Sequence, residues 1–487
     1  GIINQNVDAR LPDGILRANF INTKWAYNIT DQASASAVLN HRFSDQWRLN
    51  AIAGVMDTRV HGLGVAVPNG TIMANGDWTR NLAAVQTSER DYNAQLNLNG
   101  KFETGPLTHQ LLVGADALRI VTSTAAGFTY TQLDGTLIAP VSSTNLTYVY
   151  DKINIIDRSK YAERTDGIFY NAGTITTAPS YRFGGYAQDL ITIVPMLKVL
   201  AGVRYSYQNV LQTNVLTTQT GAEVSGTAAD KADRAWSPKG ALIFQPLPTL
   251  SLYASYANNF ITNGNTVDIN GTPLAPSHVD QYEAGVKSEL LHSGLFANAT
   301  VYRYRNSNFA QPVLVNGVTS TYRELTGETT SDGVDVDFSG SFSSNFYFNA
   351  GYAYNFARYT NTSGATGSQV EGERLTNNPA HTVNGSIFYT FDRPGLRGIK
   401  VGASAFYTGQ RLGGNNNTVG QVGNYSRTIS LDGFTTIDLS AGYTYQRFSI
   451  LAKVSNITNA LSYLVHDRYS INPIPPRQFL TTVGYRF

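Results

Sequence analysis

The sequence predicts an all-β fold, a transmembrane antiparallel β-barrel, and three observations lead to this prediction. Polar and apolar residues alternate in segments of roughly ten residues, the length that a tilted strand needs to cross a membrane. Charged residues make up only 14% of the chain, whereas it contains 29 Tyr, a residue that favours the membrane–water boundary. No apolar run reaches the ~18–20 residues of a spanning helix, and a bilayer admits only helices and closed sheets.

The first strands are predicted after an N-terminal loop. We expect residues 1–32 to form this loop, because they contain the turn sequence LPDG and scattered Asn without alternation. Residues Ala33–Phe43 alternate and, after a short turn, Trp47–Asp57 alternate back. A long polar stretch at about 61–88 follows. The second pair of strands is predicted at Asp91–Asn99 and His109–Arg119.

Short turns and long loops then succeed one another to the end of the chain. Short turns are predicted near Val194–Leu197, Gln245–Thr249, Leu291–Gly294, Ser341–Asn345, Asp392–Gly398 and Gln446–Arg447. Long loops rich in Asn, Thr, Gly and Ser are predicted at about 123–179, 211–233, 261–277, 306–327, 359–380, 411–432 and 458–477. Short turns on one rim and long loops on the other are typical of an outer-membrane barrel, and about seventeen strands are expected.

Alternation also assigns side chains to faces, because successive residues of a strand point to opposite sides of the sheet. We expect these residues to face lipid: Tyr92, Leu96, Leu98, Val203, Tyr205, Val336, Ile437, Val483 and Tyr485. A charge facing lipid at mid-membrane costs about 2–4 kcal/mol, so charges are expected in the lumen. The expected lumen residues are Asn93, Gln95, Arg204, Glu283, Lys287, Asp335, Asp337 and Asp438. A solvated lumen wall explains these charges, and pairing with a body inside the barrel is the alternative.

Composition and motifs exclude several functions. The chain contains no Cys, and its net charge of +2 gives no basis for nucleic-acid binding. Its seven His are scattered, with no HExxH motif and no pair at ligand spacing, so no metal site is predicted. The sequence has no GxSxG elbow and no Gly-rich phosphate loop between a strand and a helix. We therefore expect no enzymatic activity, no catalytic residues and no resident cofactor.

Nine runs of residues, in order along the chain, carry a family resemblance. They are Gly100–Arg119, the pair GYAQDL and GVRYSY (from Gly185 and Gly202), Ser237–Phe260, Gln281–Lys287, Ser331–Phe338, Asn378–Phe391, Phe434–Tyr445, Val454–Tyr463 and Pro475–Phe487. Together they resemble the barrel of TonB-dependent outer-membrane receptors, in the ferric-siderophore branch, over residues ~90–487. The aromatic ending also resembles the closing strand of bacterial outer-membrane barrels. This implies that Tyr485 and Phe487 belong to the signal read by the barrel assembly machinery.

The resemblance implies a receptor in the bacterial outer membrane that takes up a ferric siderophore with energy supplied through TonB. Members have an N-terminal plug domain, a short TonB-contacting segment and about 22 strands. This chain resembles a member from the loop after the fifth strand onward, so we expect 33–487 to form barrel strands without the plug. About five further strands are expected upstream. Because the first and last strands run in the same direction, we expect a gap between Ala33–Phe43 and Phe479–Phe487.

In such receptors, aromatic rings pack on the organic scaffold of the chelate and guanidinium groups offset its negative charge. The residues whose position implies this role are Trp78, Tyr130, Tyr304, Tyr322 and Arg323. Tyr304 is favoured because alternation with Asn298 and Thr300 directs it inward near the outer rim. Tyr354 shares a face with Phe346 and Phe348, which is more typical of an interfacial girdle.

Two alternatives stay open at this point. A TonB-dependent receptor for another cargo, such as cobalamin or a glycan, fits the same runs, because loop chemistry varies freely on a common barrel. A passive porin also has a strand count near seventeen, so size alone does not exclude it.

Overall fold

The structure is a computed structural model of the 487-residue chain. It describes residues 22–65, 73, 75–142, 146–162, 164–226, 230–263, 266–290, 294–315, 318–364, 368–415, 428–467 and 470–487. The described residues form 26 strands. Within these ranges there is no helix with the length and apolar character needed to span a membrane.

The strands follow one another along the chain with few interruptions. The first half contains β1 (Tyr27–Arg42), β2 (Trp47–Val65), β3 (Asp77–Thr104), β4 (Leu107–Ala126), β5 (Thr129–Gln132), β6 (Val149–Asn154), β7 (Ile168–Asn171), β8 (Thr174–Val194), β9 (Leu197–Val210), β10 (Asn214–Thr217), β11 (Ala222–Ser225), β12 (Lys231–Leu247) and β13 (Leu250–Ile261). The second half contains β14 (Ser277–Leu290), β15 (Leu295–Val315), β16 (Val318–Ser343), β17 (Phe346–Asn361), β18 (His381–Thr390), β19 (Ile399–Thr408), β20 (Arg411–Asn415), β21 (Thr428–Leu431), β22 (Phe434–Tyr445), β23 (Phe448–Ser455), β24 (Tyr463–Asp467), β25 (Ser470–Pro473) and β26 (Gln478–Tyr485).

One antiparallel sheet contains 20 of these strands. Three of the 20 are the short strands β6, β10 and β11, which pair with the far ends of β3 and β8 or with each other. The other seventeen form the wall, in which each strand pairs with the next along the chain. They are β1–β4, β8, β9, β12–β19, β22, β23 and β26. The expected count of about seventeen strands is confirmed for the described part of the chain.

Short turns join the wall strands at one rim, as predicted. The links between β8 and β9, β12 and β13, β16 and β17, and β22 and β23 each leave only two residues unpaired. The link from β18 to β19 also falls where the sequence predicts it. The turn predicted at Leu291–Gly294 lies mostly outside the described residues. A two-residue link can join only antiparallel strands, because parallel neighbours need a long crossover connection. The antiparallel order of these strands therefore follows from the lengths of their turns.

Several predicted loops are in fact paired strands, so this part of the sequence analysis was wrong. The predicted loop 306–327 is a hairpin in which β15 and β16 stay paired up to Val315 and Val318. Of the polar stretch 61–88, residues 61–65 belong to β2 and residues 77–88 to β3, and β1 begins at Tyr27 rather than at residue 33. Alternation marks a strand only where its two faces meet different media. Beyond the bilayer both faces meet water, so paired strands there leave no such signal. Residues 1–21 of the predicted N-terminal loop lie outside the described residues.

The wall has two faces, which the strand registers identify. Directly paired residues of neighbouring strands lie on the same face of the sheet. Asn97 on β3 pairs with Gly114 on β4, Gly114 pairs with Tyr186 on β8, and Tyr186 pairs with Arg204 on β9, so these residues share one face. The same face continues through Lys239 to Tyr304. We call it the polar face. It carries every residue expected in the lumen, and the opposite, apolar face carries every residue expected in lipid.

Side chains of the apolar face are exposed although they are hydrophobic. Leu96, Val203 and Trp236 are 49%, 41% and 64% exposed, respectively. A contiguous exposed apolar band of this kind is typical of the lipid-facing surface of a membrane barrel. The registers place the two residue sets on opposite faces as expected. Which medium contacts each face stays a prediction.

The two end strands of the wall have unpaired edges. In the ranges described above, β1 pairs with β2 alone and β26 pairs with β23 alone. The expected absence of a ladder between Ala33–Phe43 and Phe479–Phe487 is therefore confirmed for the described chain. The number of strands needed to close the wall stays a prediction.

Site-directed spin labelling can test the faces, because the chain contains no Cys of its own. Leu96→Cys and Gln95→Cys place a nitroxide on adjacent residues that point to opposite faces. We expect the label at position 96 to collide mainly with lipid-dissolved oxygen and the label at 95 mainly with a water-soluble nickel complex. The reverse pattern of collision rates would show that the register is wrong.

Candidate ligand-binding site on the polar face

A cavity of about 630 Å³ lies against the polar face. Arg204 and Tyr304, two of the residues singled out from the sequence, both line it. Tyr186, Lys239 and Gln281 belong to its polar wall as well. Gln95, Gln188, Asn258, Asn259 and Ser237 also line it, so the cavity combines two cations, two phenol rings and several amides, a set that can contact an anionic ligand with an organic scaffold.

The Arg204 side of the cavity is held by an ion pair across the sheet. Arg204 Nη1 donates to Asp116 Oδ2 at 2.6 Å and Nη2 donates to Asp116 Oδ1 at 2.9 Å. The guanidinium also lies 5.4 Å from the ring centre of Tyr186. Tyr186 Oη in turn donates to Asn97 at 2.6 Å and accepts from Gln95 Nε2 at 2.9 Å. These contacts fix the orientation of the Arg204 guanidinium, and the Asp116 carboxylate partly neutralises its charge.

The Tyr304 side of the cavity depends on Glu283. Tyr304 Oη donates to Glu283 Oε1 at 3.0 Å, and Gln281 Nε2 donates to the same oxygen at 2.6 Å. Next to this group, Asn355 Nδ2 donates to Tyr302 Oη at 3.0 Å, and the rings of Tyr302 and Tyr304 are 5.0 Å apart. The ring of Tyr304 is therefore held in place by its own wall.

Other predicted lumen charges find partners within the wall. Lys287 Nζ lies 5.3 Å from the ring centre of Tyr253, and Asp438 accepts from Lys453 Nζ at 2.9 Å. Asp335 and Asp337 point to the polar face beside Gly333 and Gly351. For Arg204, Glu283 and Asp438, the wall itself supplies a pairing that the sequence did not indicate. Asp116 was missed, although it alternates with apolar residues and could have been found by the same rule.

Trp78 and Tyr130 lie in the loops, away from the wall cavity. Each side chain is only 4% exposed. Tyr130 belongs to a buried cluster with Leu63, Leu82 and Tyr148. Burial raises the pKa of Tyr130 to about 12, and a phenol must lose its proton before it can ligate a ferric ion. Tyr130 therefore packs in the loop core, and Trp78 is buried at the pairing of β3 with β6, opposite Ile153. Contact of either ring with a chelate stays a prediction.

Tyr322 and Arg323 lie on β16 in the extended part of the hairpin with β15. Tyr322 is 36% exposed. The Arg323 backbone N–H donates to the carbonyl of Val267 at 3.0 Å, which holds the hairpin against the loop between β13 and β14. The five predicted ligand residues are thus divided among the wall, the loop core and this hairpin.

The predicted assembly signal lies at the end of the wall. Tyr485 on β26 pairs with Phe448, and their ring centres are 4.8 Å apart. The ring of Phe487 lies 5.2 Å from that of Tyr485 and is fully exposed. Recognition of these rings by the assembly machinery stays a prediction.

A network of charged groups holds the loop that contains β6. Asp77 Oδ1 accepts from Lys160 Nζ at 2.8 Å and from Asn154 Nδ2 at 2.7 Å, while Oδ2 accepts from Tyr161 Oη at 2.9 Å. The bond from Lys160 is the main reason why the pKa of Asp77 lies far below its usual range; burial opposes the shift. This network was not predictable from the sequence, because Asp77 is distant in the chain from Asn154, Lys160 and Tyr161.

A second ion pair lies beside Asp77 on the same two strands. Arg80 Nε donates to Asp151 Oδ1 at 2.7 Å, and Nη2 donates to Oδ2. The side chains are 2% and 8% exposed, so this is a buried pair. Removing one partner of such a pair leaves an uncompensated charge, which costs about 3–5 kcal/mol. The loop is therefore a fixed part of the structure.

The described ranges contain no group of three or more His, Cys, Asp or Glu that could hold a metal ion. The chemistry that the cavity offers is accordingly recognition by rings, guanidinium and hydrogen-bond donors.

The chain belongs to the TonB-dependent receptor-like β-barrel family, whose model matches residues 3–457. Proteins of this family are outer-membrane receptors and transporters, so the predicted fold class, family and location are confirmed. Among similar proteins, the metal-pseudopaline receptor CntO of Pseudomonas aeruginosa is 26% identical over 433 residues, 89% of this chain and 55% of the relative. The ferrichrome outer membrane transporter/phage receptor of Escherichia coli is 25% identical over 413 residues, 82% of this chain and 48% of the relative.

Solved structures share the fold. The siderophore receptor PiuA from Acinetobacter baumannii aligns with a TM-score of 0.80 at 19% identity, covering 98% of this chain and 68% of that one. The ferripyoverdine receptor of the outer membrane of Pseudomonas aeruginosa gives a TM-score of 0.73 at 16% identity, covering 99% and 60%. The chain spans about half the length of the curated relatives it matches.

The Asp77 network predicts how the loop responds to charge and pH. A carboxyl whose pKa is lowered on folding contributes stability above its unfolded pKa of ~3.9, and this is lost only as pH falls through the folded value. The protection of the backbone amides in residues 154–162 against hydrogen exchange should therefore stay constant from pH 8 to 5, relative to the intrinsic exchange rate at each pH. Asp77→Asn should raise the exchange rate at pH 7 by roughly tenfold.

Asp134→Asn is the matched control for this loop. The Asp134 carboxylate accepts from Thr136 within its own turn, at 2.9 Å from the backbone nitrogen. Exchange in 154–162 should be unchanged in this variant. Equal exchange in Asp77→Asn and the unmodified protein, or loss of protection already at pH 6, contradicts the role given to Asp77.

Proposed function

We propose that the chain forms most of the barrel of an outer-membrane receptor that imports a ferric siderophore, with energy supplied through TonB. The supporting observation is the cavity on the polar face, where Arg204, Lys239 and Tyr304 meet. Siderophore complexes with iron are commonly anionic and carry an extended organic scaffold, and this set offers them cations and rings. The similar proteins named above are described as receptors for metal-pseudopaline, ferrichrome and ferripyoverdine, which favours a metal chelate over cobalamin or a glycan.

Within this proposal the long loops capture the chelate and the wall cavity receives it below them. Of the five predicted ligand residues, Tyr304, Tyr322 and Arg323 have exposed or half-buried side chains and can contact the chelate on its way from the loops to the cavity. Trp78 and Tyr130 act indirectly, because they are buried and support the loop that contains β6. The plug and the TonB-contacting segment that the family requires belong to the complete receptor, as do the strands that pair with the open edges.

Deleting the gene and measuring uptake tests the class of function. We expect loss of uptake of at least one ⁵⁵Fe-labelled hydroxamate, catecholate or mixed-ligand siderophore, and the same loss after removal of TonB. Uptake that persists without TonB indicates a porin. Unchanged uptake of every ferric chelate, with loss of labelled cobalamin or an oligosaccharide instead, indicates another cargo.

Tyr304→Ala tests the cavity. Removing a ring that packs on the ligand should raise the chelate concentration for half-maximal uptake by roughly 5–10-fold while leaving the protein in the membrane. Tyr354→Ala is the control, because Tyr354 lies two strands away, on β17, and on the apolar face. Equal effects of the two substitutions would mean that the Tyr304 ring has no specific role.

A further inference from the structure

A buried arginine lies in the loop between the wall strands β19 and β22. Arg411 is the first residue of β20 and is only 4% exposed. It pairs directly with Leu431 on β21, so both side chains point to the same face of this two-stranded sheet. That face is apolar, because Leu431 and Ile429 belong to a buried cluster with Tyr463. A positive charge therefore lies inside a hydrophobic core of the loops.

Three loops meet around this arginine. Arg411 Nη2 donates to the backbone carbonyl of Tyr463, in the loop between β23 and β26. The carbonyl of the next residue, Leu412, accepts from the backbone nitrogen of Asn377 at 2.7 Å, in the loop between β17 and β18. The guanidinium carbon lies 5.3 Å from the ring centre of Phe434, where β22 begins. A group that binds Arg411 therefore stabilises three long loops together.

The charge of Arg411 is not compensated within the described ranges. Its buried Nη1 has no hydrogen-bond partner there, and none of the described Asp and Glu residues forms an ion pair with the guanidinium. A backbone carbonyl and a ring face orient the cation, but neither carries a full negative charge. Burial lowers the pKa of Arg411. A guanidinium nevertheless keeps its proton at neutral pH, so the charge requires a counter-ion.

Two other arginines of the loops show how such a charge is otherwise compensated. Arg80 is also buried, but the Asp151 carboxylate supplies its counter-charge. Arg374 makes the same kinds of contact as Arg411, a hydrogen bond of 3.3 Å to a backbone carbonyl and an approach of 4.6 Å to the centre of a Phe ring. Arg374 is only half-buried, however, so water can solvate its charge. Arg411 has neither a described carboxylate partner nor this access to water.

We propose that the core around Arg411 binds one small monovalent anion, chloride under physiological conditions, and that this ion connects the three loops. One guanidinium balances one negative charge, and its Nη1 is the donor that contacts the ion. Sulfate is disfavoured, because it brings a second negative charge and further acceptor oxygens into an apolar core. The proposal depends neither on the cargo of the receptor nor on the medium that contacts each face of the wall.

Hydrogen exchange in the complete receptor, purified in detergent, tests the site with chloride itself as the probe. Sodium chloride replaces sodium gluconate, which has a bulky anion, at constant ionic strength. A ligand that binds the closed loops and not the open ones raises amide protection once its concentration exceeds Kd. We expect the protection of the β21 amides to rise roughly fivefold at about 150 mM chloride. Sodium bromide should have the same effect, and sodium sulfate should have none.

Variants assign the response to Arg411. Arg411→Gln should abolish the effect of chloride on β21, and Arg411→Lys, which keeps the charge without the planar fork, should retain part of it. Arg374→Gln is the matched control, and its β21 amides should respond to chloride as those of the unmodified protein do. Residues 154–162 are an internal control, because that loop contains its own ion pairs and should not respond.

Each outcome supports or overturns the assignment. Equal protection of β21 in chloride and gluconate overturns it; if Arg411→Gln then still weakens protection, the counter-ion is a carboxylate from another part of the receptor. An unchanged chloride response in Arg411→Gln also overturns it, because the ion then binds elsewhere. An anomalous bromide peak beside Arg411 Nη1 in crystals supports it. The titration and the bromide peak need no variant, so the test holds even if Arg411→Gln does not fold.

Discussion

Backbone hydrogen bonding is the constraint on which the rest of the structure depends. In hydrocarbon an unpaired N–H or C=O costs several kcal/mol, so each wall strand must keep its neighbours in register over the whole crossing. Register then decides the face of every side chain, because a slip of one residue turns the whole strand over. This is why residues as distant in sequence as Gln95, Arg204 and Tyr304 lie on one continuous face. The polar cavity follows from the ladder and from alternation alone.

The wall could be predicted from the sequence because its strands alternate between polar and apolar residues with a period of two, as expected when one face meets lipid and the other meets water. An adjacent polar and apolar pair such as Gln95 and Leu96 identifies the two faces of its strand. The assignment of Tyr304 to the polar face and Tyr354 to the apolar face follows in the same way from the residues beside them on β15 and β17. The loop core left no such signal. Arg80 and Asp151 are 71 residues apart, and neither stands in a recognisable motif. The extension of β15 and β16 was missed because polar and apolar residues do not alternate regularly in this hairpin.

Two different sources of stability meet in one chain. In the wall, large apolar side chains such as Leu96 remain exposed, which favours contact with lipid over contact with water. In the loops, Leu63, Leu82, Tyr130 and Tyr148 form a buried core like that of a soluble domain, with ion pairs beside it. A change of detergent therefore acts mainly on the wall, whereas acid and charge substitutions act mainly on the loops.

The large sequence separation between the members of the Asp77 network affects the order in which parts of the protein fold. Asp77 and Lys160 are 83 residues apart, and the chain between them includes the hairpin of β3 and β4. Contacts of such long range form only after the intervening hairpin has paired, because the loop-closure entropy is lost before they can form. An interval therefore separates the pairing of β3 with β4 from the completion of the Asp77 network. During that interval a newly inserted molecule exposes its basic residues Lys152, Lys160 and Arg164 to trypsin-like proteases at the cell surface, and resistance to such cleavage marks the mature form.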